Sequence, residues 1–410
     1  MRIIQIGITV VVGLMLLSAL GGCRSKGVAN DDNTKAGAVA GRKLTGKNNL
    51  KIALIARDSA DPAFAATQAG AEEAARALSK DGLTVTITPT PPNGMEQAKR
   101  VTQVVQEGVD AIIISVADAI KVTPAINDAV KAGVTVITYA YDAPASTRLA
   151  TVGVDDAKAG AQAMDDMAKA LGKKGKIAIL AGTPAQQVRL EGAKKAAEKY
   201  PDIKILATVN CAENASDAAA VVLKTTTNNG DLNGWVMLGG WALNNKTLLD
   251  ERKFTRLKTV AIDALPASLP YLEKSAVTEL LGQPTYSWGK TAVEKVVDKL
   301  AYKQEVPVKN ELQLIIVTRE KLPSWAKQLK DWGYRDEDGA LTKYAAGSAT
   351  ISKPAGSATN KSTSGVTGET KKKTESKPSA VKKPDTAKPK PKTTTPDNTA
   401  GPKKPTTEHP

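Results

Sequence analysis

Asp110-Ala111-Ile112-Ile113-Ile114-Ser115-Val116-Ala117-Asp118 is the stretch from which the fold can be read. Four consecutive apolar residues, three of them β-branched, are too few for a helix and alternate with nothing polar. Such a run reads as a strand covered on both faces, the habit of parallel sheets flanked by helices. Working outward, similar runs recur at Ile52 to Ala56, Thr84 to Thr88 and Thr135 to Tyr139, and again at Ile177 to Leu180, Ile203 to Thr208, Trp235 to Leu238, Thr259 to Ile262, Val277 to Leu281 and Leu312 to Val317. Helical-period stretches separate them. Asp61-Pro62 and Thr183-Pro184 supply a capping side chain followed by Pro at a first helical position, and Gly108, Gly133 and Gly172 fall where helices should end. A βαβαβ rhythm therefore occurs twice, over about 50–140 and about 175–282. The sequence predicts an α/β protein of two doubly wound parallel-sheet lobes.

The charge is unevenly placed. The 410 residues carry a formal +15, yet residues 345–410 hold 13 Lys against five acids and residues 1–48 hold seven Lys or Arg against two, so the middle is near neutral. A nucleic-acid-binding domain would need its basic residues on the folded part. The only histidine is His409, which removes His-based catalysis and His metal sites from the middle. Gly282 and Gly289, with six residues between them before Lys290-Thr291, imitate a phosphate loop, but only four should separate the glycines. No dinucleotide-binding glycine pattern follows the first strand, and no Gly-x-Ser-x-Gly elbow occurs. Asp155-Asp156 and Asp165-Asp166 could imitate an acid and base pair, but their polar helical setting reads as solvated surface. Neither an enzyme nor a cofactor is expected.

At the start, Met1-Arg2 leads into an apolar run to Leu20-Gly21-Gly22-Cys23, an export signal by its pattern. Its end resembles the lipobox of bacterial lipoproteins, which implies a signal peptide over 1–22 and acylation of Cys23; an uncleaved membrane anchor is the other reading. Cys211 would then have no disulfide partner. Residues 23–48 read as a flexible tether. Residues 345–410, with nine of the 22 prolines and no aromatic residue, should form a disordered, extended Lys/Pro/Thr-rich tail.

The middle carries Asp61-Pro62-Ala63-Phe64, Ile112 to Asp118, Val136-Ile137-Thr138-Tyr139-Ala140-Tyr141-Asp142-Ala143-Pro144 followed by Val152-Gly153-Val154-Asp155, then Arg189-Leu190-Glu191-Gly192, Gly239 to Asn244, Ala261-Ile262-Asp263-Ala264 and Leu281-Gly282-Gln283-Pro284. Taken together, these segments resemble the ribose- and galactose-type periplasmic sugar-binding proteins, the solute receptors of ABC importers, over about 50–320. The resemblance implies a type I periplasmic binding fold with a three-segment hinge near Val154, Gln283 and Leu312. Lobe 1 would take 49–153 and 284–311, and lobe 2 would take 154–283 and 312–344. It implies ligand-binding roles for Asp61, Phe64, Ser115, Asp142, Gln187, Arg189, Trp241, Asn244, Asp263 and Gln283. Ala140 stands where relatives usually grip sugar hydroxyls with Asp, which departs from a ribose-like or glucose-like ligand.

The residues leave alternatives. Phe64 could belong to a helix's buried face, Asp263 could cap the next helix, Gln283 could serve the hinge alone, and Arg189 could lie on the surface. Trp235, Trp325 and Trp332 read as packing residues. The implied function is a monomeric, lipid-anchored envelope receptor that captures a sugar or polyol and delivers it to a membrane permease. A sugar-sensing or envelope-attachment protein with the same fold is the alternative.

Overall fold

The computed structural model describes residues 44–57, 61–90, 96–182 and 186–347. The signal peptide, Cys23, most of the tether, Thr183-Pro184 and the tail from 348 onward lie outside the described residues.

The first sheet is built from β1 (Asn49–Ile55), β2 (Thr84–Thr90), β3 (Ala111–Ile114), β4 (Thr135–Tyr139) and β5 (Ala150–Gly153), with β11 (Lys309–Glu311) at its edge in the order β11-β5-β4-β3-β1-β2. Every pairing in it is parallel. The second sheet repeats the pattern with β6 (Gly175–Ala181), β7 (Ile203–Asn210), β8 (Gly234–Met237), β9 (Lys258–Ile262) and β10 (Glu279–Gly282), in the order β12-β10-β9-β8-β6-β7. Here the edge strand, β12 (Ile315–Val317), runs antiparallel to β10. The strand order reverses at β1/β3 in one lobe and at β6/β8 in the other. At such switch points the helices leave to opposite faces and a crevice opens beyond the carboxyl ends of the strands.

Side-chain alternation fills both faces of each sheet. Leu50, Ile52 and Leu54 pack with Trp288, Val293 and Val296, while Ala53 and Ile55 pack with Val101, Val104, Val122 and Ile126. The helices covering the first sheet are α1 (Phe64–Leu78), α2 (Gln97–Gln106), α3 (Ala119–Lys131) and α9 (Thr285–Leu300). The second is covered by α4 (Asp156–Ala170), α5 (Gln187–Ala197), α6 (Ala215–Asn228) and the short α7 (Arg252–Thr255) and α8 (Leu269–Glu273), with α10 (Leu322–Asp331) and α11 (Ala340–Ala345) beyond. In each lobe the first helix crosses the helix that enters from the other lobe, and glycines permit the approach. A Cβ on Gly289 of α9 would lie 1.8 Å from the carbonyl oxygen of Thr67, and one on Gly160 of α4 would lie 1.8 Å from that of Arg189.

The chain passes between the sheets three times: from β5 into α4, from β10 into α9, and from β11 into β12. The last passage corrects the expectation of one strand over Leu312 to Val317. The N–H of Leu312 still donates to Gly153 in the first sheet, whereas Ile315 pairs with Gly282 in the second, so an unbroken apolar run changes sheets midway. Aromatic packing joins the lobes beside this passage. Tyr286 of α9 stacks on Trp332 with ring centroids 5.6 Å apart, and the Tyr334 hydroxyl hydrogen-bonds Thr285 Oγ1 at 3.1 Å.

Other expectations shift in detail. Asp61 accepts the N–H of Ala63 at 2.9 Å in a turn, and α1 begins only at Phe64, which is its first residue rather than its third. The strand expected from Val277 starts at Glu279, because the N–H groups of Ala276 and Val277 still close the end of α8 on Tyr271. β5, four residues ending in glycine, carries no strand signal of its own in the sequence. Thr45, Gly46 and Lys47, placed in the tether, bond through their N–H groups to the carbonyls of Leu300 and Ala301. The surface reading of the paired carboxylates also fails in part. Asp155 caps α4 and Asp156 pairs with buried Arg189, while Asp166 shares a half-buried site with Glu279.

Candidate functional site

In the second lobe the carboxyl ends of β6, β8, β9 and β10 carry the site. Trp241 starts a 3-10 turn (Trp241–Leu243) and lies half-buried over the β6/β8 crevice. Its ring fits because two strand ends carry no side chain. A Cβ on Gly239 would come within 2.4 Å of Trp241 Cη2, and one on Gly182 within 2.7 Å of the same atom. Asp263 follows β9 with φ of +80°, a left-handed conformation that Asp tolerates better than most residues. Its backbone N–H donates to Leu281, while its carboxylate accepts the N–H of Gly240 at 3.1 Å and Nε2 of Gln283 at 2.7 Å. Asp263 therefore caps no helix; the next turn, Pro266–Ser268, is preceded by Leu265. Trp325 supports this corner from below, donating its indole N–H to Ala264 at 2.8 Å, and a Cβ on Gly282 would meet its ring at 2.8 Å. Arg189 is buried, with Nε on Asp156 at 2.7 Å and Nη1 on the Leu238 carbonyl at 2.9 Å, so it holds the end of β8 and is not a surface residue.

In the first lobe a fully buried glutamine, absent from the sequence reading, organises the strand ends. Gln97 donates to the carbonyls of Ala56 and Ser115 at 2.8 and 2.7 Å and accepts the N–H of Ala117 at 2.9 Å. It thereby fixes the loops after β1 and β3 on either side of the switch point. Ser115 is itself 1% exposed, and its hydroxyl reaches no hydrogen-bond partner. After β4, Ala140 takes φ of +55°, and Arg57 stacks over the Tyr141 ring at 4.5 Å from its centroid. Phe64 is half-buried against the lobe's core. Asp142 is engaged within its own loop: Arg148 grips both carboxylate oxygens, Thr138 donates at 2.6 Å and the N–H of Ala143 at 2.7 Å. Burial acts to raise its pKa, but these donors outweigh it and hold the carboxyl below the usual range.

Electrostatics tie the two sides together. Burial pushes the Tyr141 hydroxyl up; Arg57 and Arg189 oppose this, while Asp263 and Glu213 reinforce it. Burial likewise raises Tyr334, with Asp61 from the first lobe and Asp263 from the second adding to the effect. Arg189 is disfavoured by burial, yet the charges of Asp156 and Asp263 more than hold it protonated. Thus Asp61, Arg189, Trp241, Asp263 and Gln283 of the expected residues converge. Asn244 is exposed at the end of its 3-10 turn, and Gln187, half-buried in the first turn of α5, makes no side-chain hydrogen bond among the described residues. Arg57, Tyr141 and Glu213 join the group without having been singled out; the signal they carried was their place just beyond β1, β4 and β7.

Carboxylates, an amide and an indole around one space can accept hydroxyl hydrogens and cover an apolar ring face. Cys211 is buried, its thiol pushed up to about 11 first by burial, and among the described residues no group of His, Cys, Asp or Glu could hold a metal ion.

A family model described as a periplasmic binding protein domain matches residues 52–304. The chain belongs to this family. The relatives named below are binding proteins by name. Among curated periplasmic binding proteins, the xylitol-binding protein of Mycolicibacterium smegmatis is 36% identical over 114 residues, 27% of this chain and 33% of that protein. The ribose import binding protein RbsB of Bacillus subtilis is 30% identical over 145 residues, 35% of this chain and 47% of that one. The chain thus spans a third to about half the length of the curated relatives it matches. Among solved structures, an ABC transporter solute-binding protein from Burkholderia graminis in complex with D-arabinose superposes with a TM-score of 0.58 at 25% identity, covering 66% of this chain and 96% of that one. The arabinose-binding protein AraP of Geobacillus stearothermophilus, at 21% identity, gives a TM-score of 0.60 over 67% and 98% and shares the fold. No helix among the described residues is long and apolar enough to cross a membrane.

Proposed function

We propose that this periplasmic binding protein is the receptor of an ABC importer, capturing a sugar or related polyol between its lobes and delivering it to a membrane permease. The observation that carries the reading is the corner made by Asp263, Gln283 and Gly240 with Trp241 beside it over the β6/β8 crevice. Asp263 is held by two donors in a fixed orientation, and a preorganised carboxylate next to an indole face suits a ring carrying several hydroxyls. The names of the relatives point the same way, to pentoses and a pentitol. The reading includes an extracytoplasmic protein anchored through an acylated Cys23, with residues 23–43 as the tether. It also keeps 49–153 with 284–311 and 154–283 with 312–344 as the two ligand-gripping bodies.

A thermal-shift screen over pentoses, hexoses and polyols tests it, followed by calorimetry with the wild-type protein and Asp263→Ala. A true ligand at about 100 times its Kd stabilises by roughly 2.7 kcal/mol. Loss of the Asp263 carboxylate should weaken binding by about 1.5 to 3 kcal/mol, the range for a charged hydrogen bond. A panel without any shift would sink the sugar assignment. For the anchor, a fatty-acid label should enter the wild-type protein and not Cys23→Ser, and the mature wild-type chain should begin at Cys23; an unlabelled wild type that keeps residues 1–22 would exclude acylation there.

A further inference from the structure

We infer that residues 322–345 form a strap across the hinge, latched by the stack of Trp332 on Tyr286, which favours the arrangement in which the two lobes approach each other. The strap rests on the two-body part of the reading above and on no assumption about the ligand. Its base belongs to the second lobe. Trp325 of α10 donates to the carbonyl of Ala264 at 2.8 Å and lies against Gly282 at the end of β10. Lys343 and Tyr344 of α11 bond to Glu273 of α8 at 2.7 and 2.8 Å, and Lys246 reaches Asp338 at 2.9 Å. Between the two helices the chain turns toward the first lobe. Gly333, at φ of +84°, is the left-handed residue of a Schellman turn that ends α10: its N–H donates to Lys330 and that of Tyr334 to Leu329, both at 3.0 Å.

The partners of this turn are held by the first lobe. Tyr286 donates its hydroxyl to Glu73 of α1, which also accepts Nζ of Lys290 at 2.9 Å, and the Thr67 hydroxyl of α1 donates to the Thr285 carbonyl at 3.1 Å. Trp332, braced edge to face by Trp325, stacks on Tyr286 with the ring planes 10° apart. The Tyr334 hydroxyl bonds to Thr285, and a Cβ on Gly333 would lie 3.9 Å from that of Ala65 in α1. One ring of the stack is therefore fixed to each body, and rotation of one lobe on the other must tilt or part the pair. In this same arrangement Tyr141 of the first lobe lies within the field of Arg189 and Asp263 of the second, so the latch is made while the cleft-side faces are near. A contact made in one arrangement and lost in another weights the equilibrium toward the first. For a stacked aromatic pair the weight is a factor of about two to ten.

The test measures the separation of the lobes without ligand. In a Cys23→Ser background, Ile120→Cys and Val188→Cys place spin labels on the exposed first turns of α3 and α5, which follow the carboxyl ends of β3 and β6 on opposite lobes, while buried Cys211 stays unlabelled. Pulsed electron–electron resonance should find a dominant short separation in the otherwise wild-type chain. Trp332→Ala and Tyr286→Leu, which remove the stack from opposite sides, should each move the ratio of short to long separations about two- to tenfold toward the long one, and Trp332→Phe, which keeps a ring for Tyr286, should stay near the wild type. Two separations in unchanged proportion would overturn the strap and leave the two-body reading intact. One unchanged separation in every protein would remove both. A shift with Trp332→Phe as large as with Trp332→Ala, or with only one of the two stack-removing variants, would overturn the latch.

Discussion

Glu279→Gln should make the protein more stable at pH 8 and remove most of its pH dependence between pH 5 and 8. Glu279 opens β10 and meets Asp166 of α4, and one oxygen of each, Glu279 Oε1 and Asp166 Oδ2, is buried with no donor in reach. The charged groups facing them are Lys169 and Asp165 on α4 and Lys321 from the turn before α10, with Gln162 bonding to Asp166. Burial first, and then the charge of Asp166, pushes Glu279 from its ordinary 4.5 up to about 7. A pKa raised in the folded state means that the neutral form is the one the fold favours. Its stabilising contribution is complete below about pH 4.5 and is lost as pH rises through about 7. The full displacement corresponds to about 3 kcal/mol, and solvent at this half-buried site reduces it to about 1 to 2 kcal/mol, most of it lost between pH 5 and 8. The window is clean, since His409 is the only histidine in the sequence and Cys211 titrates far above it. Glutamine cannot ionise, and its amide can donate to Asp166. Urea denaturation at pH 5, 6, 7 and 8 should therefore show wild-type stability falling by about 1 to 2 kcal/mol while the variant stays level. A wild-type profile that is flat or rises with pH, or a variant that falls in parallel, would refute the shared-proton account.

Gln97→Leu should cost about 2 to 4 kcal/mol in urea denaturation, because two buried carbonyls and one N–H lose their partner together; a loss below about 1 kcal/mol would mean that water replaces the amide. Gly160→Ala should lower stability by about 3 kcal/mol or more, since α4 and α5 must separate to admit a methyl 1.8 Å from a carbonyl oxygen; an unchanged thermal midpoint would show that the helices slide apart freely. Cys211 should react with thiol reagents only as fast as the protein unfolds, being buried and with its thiol pushed up to about 11; rapid labelling of the native protein at pH 8 would contradict its placement.

What the sequence revealed was governed by distance along the chain. Ala111 to Ile114 needs no partner to be recognised as a covered strand, and most other strands announced themselves in the same way. β5 did not, because Ala150–Gly153 is short and ends in glycine. Leu312 to Val317 misled for the opposite reason: hydropathy records burial but not which of two sheets does the burying. Asp263 and Gln283 could be placed beyond strand ends by spacing alone, yet their mutual bond and the N–H of Gly240 depend on three separate strands meeting. Asp166 and Glu279 are 113 positions apart, so nothing local distinguished Asp166 from its solvated neighbour. Trp241 could be placed beyond the end of β8 from the sequence, but the two glycines that make room for its ring lie at the ends of different strands.

The five tryptophans divide among the mechanical parts of the molecule. Trp288 sits in the core of the first lobe and Trp235, hydrogen-bonded to Thr226, in that of the second; Trp241 lies at the cleft, while Trp325 and Trp332 meet edge to face at 5.5 Å beside the passage between lobes. Each part thus carries its own emitter, and replacing all but one by phenylalanine yields a set of single-colour probes. Quenching confined to Trp241 would record occupancy of the cleft, a change confined to Trp332 would record rotation of one body against the other, and Trp235 and Trp288 would serve as internal standards that stay silent until a lobe unfolds.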